Sequence, residues 1–261
     1  SGDGGDELFY GYPRYINANQ SWKIVNKVPK FARGIPYKLF QKIPDNKVPS
    51  LAMKRWSRFK RMAYMLNTET PDQFYYKKIS HHEDPKTLLT TMVSGYNLDD
   101  EVGIWGTSTD SRKRITHFDT KVYLPDDILT KVDRASMAVG LESRIPMLDH
   151  NLLEFAWGMP DEIRLNHIEP KMALKSILRK YLPVEMWDRP KMGFGIPLND
   201  WLKGPLKEWA DDLLEPNNLN ADGYFNTEIV KKLWDEHKKG ENQWGPQLWD
   251  LLMFQSWKNS I

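Results

Sequence analysis

Cysteine is absent from the 261-residue chain. Its absence excludes disulfide staples, thiolate zinc sites and a cysteine nucleophile within this stretch, and it permits a reducing, cytoplasmic setting. No apolar run approaches the ~18 residues that a membrane helix needs, so no membrane span is expected. An excess of one charge is missing as well. The 37 Lys and Arg stand against 35 Asp and Glu, a net charge of +2, whereas a general polyanion binder carries a large positive surplus. Nucleic acid is therefore not an expected partner. Internal repeats, low-complexity linkers and an initiator Met are lacking too, and the abrupt opening at Ser1 points to a chain whose true beginning lies upstream. What is present is core material: 40% of the residues are hydrophobic and eleven are Trp, so the chain is long and apolar enough to fold.

Apolar periodicity predicts a mainly α fold, read as one mostly helical body over residues 1–261 with no clean internal boundary. Leu174, Ile177, Leu178 and Tyr181 recur at helical spacing between Pro170 and Pro183. Ile229, Val230, Leu233 and Trp234 share a face between an Asn226 cap and a Gly240 exit. Leu248, Leu251 and Leu252 form a third stripe behind Pro246. Thr70-Pro71-Asp72 reads as a helix start, and 51–66 as a basic amphipathic helix packing Trp56, Phe59 and Leu66. Residues 111–123 and 126–139 read as helices separated by a break at Pro125, and Glu162-Ile163-Arg164-Leu165 as a short strand.

Three segments carry chemistry. The opening turn sets Gly2, Gly4 and Gly5 among Asp3, Asp6 and Glu7. Glycines bring backbone N–H groups close to an oxygen-rich ligand, but bare carboxylates repel phosphate, so phosphate binding here calls for a bridging cation, and Mg²⁺ fits. The second segment runs from Lys131 to Asp149. Its Asp133, Arg134, Glu142 and Arg144 are expected to pair in a buried or half-buried network, structural for Glu142 and Arg144. The third, Arg189 to Pro197, has two glycines between prolines and offers Lys191 as a mobile point charge for a phosphate or oxyanion. His81 and His82, as neighbours on a helix, are expected to point apart and hold no metal. Trp244, Trp249 and Trp257 read as core or interface packing.

Taken in order, Ser1 to Tyr12, Val132-Asp133-Arg134 through Asp149, Lys171 to Arg179, Arg189 to Gly195 and Leu248 to Trp257 resemble the glutamine-dependent asparagine synthetase family, which also includes β-lactam synthetase. The resemblance implies that ATP adenylates the side-chain carboxylate of aspartate and that ammonia from glutamine then forms the amide. ATP and Mg²⁺ are the implied cofactors; aspartate, ATP and ammonia are the implied partners. By position, Asp6 matches the acid that holds Mg²⁺ and pyrophosphate, and Lys191 the lysine that stabilises transition-state charge. Asp3 takes the slot beside the reacting acyl group, Ser1, Gly2 and Gly4 lie beside the nucleotide, and Asp126 or Asp127, with Asp127 preferred, matches an active-site acid. The family's Ser-Gly-Gly-x-Asp-Ser loop and glutaminase cysteine are not in the sequence. The expectation is thus the helical remainder of an α/β, adenine-nucleotide α-hydrolase-like (ATP-pyrophosphatase type) synthetase domain. It would lack the glutaminase domain, be inactive alone, and be compatible with a homodimer. Amidation of a sugar acid or peptide carboxylate, and a non-catalytic helical module, are the alternatives.

Overall fold

Helix caps and aromatic packing account for most of the architecture. The computed structural model describes residues 2–43, 50–90, 102–188 and 195–261. Among them the secondary structure is helical, with one isolated antiparallel bridge, Leu89 to Phe225. The chain divides into two compact units where the periodicity pointed to a single body. One unit comprises Ser1–Ile79 and Asn97–Arg189, and the other Ser80–Tyr96 and Pro190–Ile261.

In the first unit, helices Pro13–Val25, Pro71–Ile79 and Ser111–Lys121 bury an aromatic-rich core of Tyr10, Tyr15, Phe74, Tyr75, Trp105, Ile115 and Phe118. Trp105 stacks on Phe118 at 4.2 Å and Tyr10 on Tyr15 at 5.1 Å, the offset geometries that aromatic quadrupoles favour. Helices Lys30–Gln41 and Ser50–Leu66 meet through Phe40 on Trp56 and Tyr37 on Tyr64. A smaller cluster of Leu8, Phe9 and Ala156, flanked by Met147, Trp157 and Leu174, seats the opening turn on helices His150–Gly158 and Met172–Leu178.

The structure corrects several expectations. Pro125 does not break the chain: it lies in the first turn of a π-helix, Leu124–Leu129, that runs on into helix Thr130–Met137, because a proline there forfeits only an N–H that needs no partner. The short strand at Glu162 is a helical turn, Asp161–Arg164, with two acids in its first turn. Helix Met172–Leu178 ends before Tyr181, which is exposed like Ile177. Phe59 is exposed rather than packed. Glu142 and Arg144 do pair, at 2.7 Å, but on the surface, and Asp133 and Arg134 are exposed with them.

In the second unit, helices Thr227–Lys239 and Gly245–Lys258 pack Val230, Trp234, Leu248, Leu251 and Leu252 against Leu202, Ala210 and Leu219. Asn226 caps the first of them by accepting from the Ile229 N–H, and Gly240 ends it with φ +72°. Trp257 is exposed, while Trp244 and Trp249 are half-buried. His237 is fully buried, and its Nδ1 accepts the Trp244 backbone N–H at 3.1 Å, which requires a neutral imidazole. Burial pushes its pKa below the ordinary 6.5, and Lys203 adds to the shift.

A depressed histidine is protonated more readily in the unfolded chain. Its stabilisation is therefore complete above about pH 6.5 and is lost as the pH falls through that value. The thermal midpoint of this unit is expected to drop between pH 7.5 and pH 5.5, and His237→Asn, whose Oδ1 replaces Nδ1, is expected to reduce that drop. An unchanged pH response in the variant would count against this role for His237.

Candidate functional site

The acidic turn is built by close backbone approach. Gly4 adopts φ +86°, and a Cβ there would meet Leu148 Cδ2 at 2.6 Å, so the turn needs a residue without one. Gly2 and Gly5 make no such use of glycine's freedom, which narrows the reading of this loop. Helix Gly5–Leu8 follows for one turn. The next residues fold back: the Gly11 N–H donates to the Asp6 carbonyl at 2.8 Å, and Tyr10 takes a left-handed φ of +54°.

A second segment meets this turn. Lys171, also left-handed at φ +59°, donates its backbone N–H to the Phe9 carbonyl at 3.1 Å, and its Nζ lies 3.1 Å from Asp6 Oδ2. Tyr10 and Lys171 are the two non-glycine residues with positive φ among the described residues, and strained backbone concentrates where a site is held in place. The Asp6–Lys171 pair passes over Gly11, where a Cβ would overlap Asp6 Oδ1 and Lys171 Cε. Both side chains keep part of their surface open, 22% for Asp6 and 32% for Lys171. A ligand can therefore reach both charges.

Beneath the turn the groups are buried and hydrogen-bonded. Glu7 is buried and accepts from the Tyr12 hydroxyl at 2.8 Å. Burial pushes its pKa up, and the Tyr12 bond partly opposes that. Arg164, fully buried over the Trp157 ring at 4.1 Å, donates Nη1 to the Leu8 carbonyl. Desolvation brings its pKa down to about 10. Asp119 Oδ2 accepts from the Tyr15 and Tyr75 hydroxyls, each at 2.7 Å, and from Arg14 at 2.6 Å. The carboxylate is fully buried, as charged groups are when they are paired.

Of the residues expected from sequence, Asp6 stands at the centre of this arrangement, and Asp3, Gly2 and Gly4 form the turn leading to it. Asp127 is exposed on the π-helix Leu124–Leu129, a helix type that recurs at functional sites. Ser1, Arg189 and Lys191 lie outside the described residues. Lys171 was noted in the sequence only as part of a helix segment. Its signal was the Pro170 before it, which marks a helix start where a backbone turn can present a side chain. Among the described residues no group of three His, Cys, Asp or Glu forms a metal cage. The donor set here is one accessible carboxylate, Asp6, beside a cation. That set fits Mg²⁺ when most of its shell is phosphate oxygen and water.

In the second unit, His81 and His82 converge where they were expected to point apart. They do not lie on a helix: His81 Nδ1 is 3.0 Å from Asp250 Oδ2, and His82 Nε2 is 3.3 Å from the same oxygen.

Comparison with known proteins places these features in context. The family model described as "Asparagine synthase" matches residues 1–259. "Asparagine synthetase [glutamine-hydrolyzing] 1" of Bacillus subtilis (strain 168) is 24% identical over 257 residues, covering 98% of this chain and 39% of that protein. A "Putative asparagine synthetase [glutamine-hydrolyzing]" of Mycobacterium bovis is 28% identical over 258 residues, covering 98% and 38%. "Amidase chyE" of Penicillium rubens is 27% identical over 114 residues, covering 41% and 17%. The chain thus spans about two fifths of the length of the first two relatives. No solved structure matches it.

The overlap at Gly11 has a direct consequence. A Cβ at Gly11 would meet the ends of flexible side chains, so Gly11→Ala is expected to part the Asp6–Lys171 pair at little cost in stability, whereas Gly2→Ala, with nothing within 4 Å of the new Cβ, is expected to leave the pair in place. Crystal structures of both variants measure this, and a pair still at 3.1 Å in Gly11→Ala would contradict the packing described.

Proposed function

The chain belongs to the asparagine synthase family, and from that premise we propose that it supplies the nucleotide-facing acidic turn of an ATP-dependent, amide-forming ligase. The observation that carries the proposal is the Asp6–Lys171 pair, open to solvent and held over Gly11.

The reaction joins two electron-rich partners. A carboxylate attacks the α-phosphorus of ATP, pyrophosphate leaves, and ammonia then displaces AMP from the acyl-adenylate. Neither encounter proceeds without positive charge, and orientation supplies much of the remaining rate. Asp6 is the residue that would hold Mg²⁺; when bound, the ion neutralises charge on the departing pyrophosphate. Lys171 offers a positive centre 3.1 Å from that carboxylate and would hold a phosphate oxygen by a charge-assisted hydrogen bond. Lys191, from the glycine loop, is assigned the charge that develops on the reacting acyl phosphate. Asp3 and Asp127 are assigned to the acyl side, and Ser1, Gly2 and Gly4 to the nucleotide. Asparagine is the product in the names of the longer relatives, so aspartate is the acceptor proposed, with a different carboxylic acid as the second reading.

The test uses the full-length protein that contains this chain, assayed for pyrophosphate release with MgATP, ammonia and a panel of carboxylic acids including aspartate. Asp6→Asn and Lys191→Met are each expected to lower the rate by about 10²-fold or more. Residues 1–261 alone are expected to release none, since the Ser-Gly-Gly loop is not in this stretch. Full activity in both variants would overturn the assignment, and release with another acid but not aspartate would favour the second reading.

A further inference from the structure

Two elements of the candidate site carry its acids: the turn with Asp3 and Asp6, and the π-helix Leu124–Leu129 with Asp126 and Asp127. A single cation lies between their anchoring rings. The Arg14 guanidinium sits 4.3 Å from the centroid of Tyr12 and 4.1 Å from that of Tyr123. Tyr12 belongs to the turn and binds Glu7, the neighbour of Asp6, at 2.8 Å. Tyr123 immediately precedes the π-helix, and its ring meets Tyr12 edge-on at 5.9 Å. The guanidinium is itself tied down, because Nη2 donates to the buried Asp119 at 2.6 Å.

We propose that Arg14 is a positioning residue whose planar cation, packed into the corner where the Tyr12 and Tyr123 rings meet edge-on and anchored on Asp119, fixes the acidic turn relative to the acid-bearing π-helix. The inference deepens the ligase reading and rests on it for its functional consequence alone. Arginine suits this role better than lysine: its broad, delocalised group meets both rings while Nη2 hydrogen-bonds a carboxylate, and a compact ammonium does not reach all three. The anchor matters too. Tyr15 and Tyr75 share the carboxylate oxygen that Arg14 uses, so the cation's position is set by helices Pro13–Val25, Pro71–Ile79 and Ser111–Lys121 together.

Arg14→Met would leave Asp119 buried without its cation and risks unfolding the unit. Arg14→Lys and Tyr123→Leu, the two stack variants, keep that charge paired and remove the guanidinium plane or the ring, while Tyr123→Phe keeps the ring and loses only the hydroxyl that meets Arg14 and Asp127. Amide hydrogen exchange on the full-length protein reads the coupling. Both stack variants are expected to speed exchange in residues 4–12 and 124–129 together by about tenfold, while Tyr123→Phe is expected to speed it in 124–129 alone. Acceleration confined to 122–129 in Tyr123→Leu, or no change in Arg14→Lys, would overturn the proposal. Calorimetric titration with magnesium pyrophosphate reads the consequence, a loss of affinity of about tenfold in both stack variants. If the wild type binds no magnesium pyrophosphate, the ligase reading fails, and the exchange result still decides the role of Arg14.

Discussion

The close meeting of Asp6 and Lys171 over Gly11 is the constraint to which the other features of the site answer. Opposite charges 3.1 Å apart attract modestly at a solvent-exposed surface, so the pair alone does not explain the strained backbone on each side of it. Its backbone companions do. Lys171 N–H to the Phe9 carbonyl and Gly11 N–H to the Asp6 carbonyl close the two segments onto one another, and the left-handed turns at Tyr10 and Lys171 follow from that closure. What remains after the hydrogen bonds are formed is a carboxylate and an ammonium, adjacent, partly open, and unable to drift. Such preorganisation costs little at the moment of reaction because it is established on folding.

The layer beneath explains why the turn stays put. A buried carboxylate without partners shifts its pKa or unfolds its surroundings. Asp119 has three donors on Oδ2, drawn from two helices besides its own, while its Oδ1 has no partner. Glu7 is held in the same way by Tyr12, and Arg164 by the Leu8 carbonyl and the Trp157 face. The acidic turn thus rides on a set of buried polar groups whose partners are all fixed by helix packing.

Much of this was legible beforehand, for identifiable reasons. Helix Thr227–Lys239 announces itself through cap, stripe and stop residues and Gly245–Lys258 through its stripe behind Pro246, all local signals. The order of the acidic glycine turn, the segment ending at Asp149 and the later glycine loop sufficed for the family, and the family model covers residues 1–259. What could not be read was non-local. Lys171 and Asp6 are 165 positions apart, and no periodicity joins them. The convergence of His81 and His82 on Asp250 likewise depends on a segment that leaves the helical state, where the rule that neighbours point apart no longer applies. Pro125 reads as a break in the sequence because proline usually ends a helix. At the first turn of a π-helix it begins one.

The account stands or falls on what Asp6 and Lys171 bind. The most direct measurement is a crystal structure of the full-length protein grown with magnesium and inorganic pyrophosphate. The account predicts the metal on an Asp6 carboxylate oxygen, with a phosphate oxygen within hydrogen-bond distance of Lys171 Nζ. Metal and pyrophosphate bound elsewhere, with the Asp6–Lys171 pair intact and untouched, would contradict it.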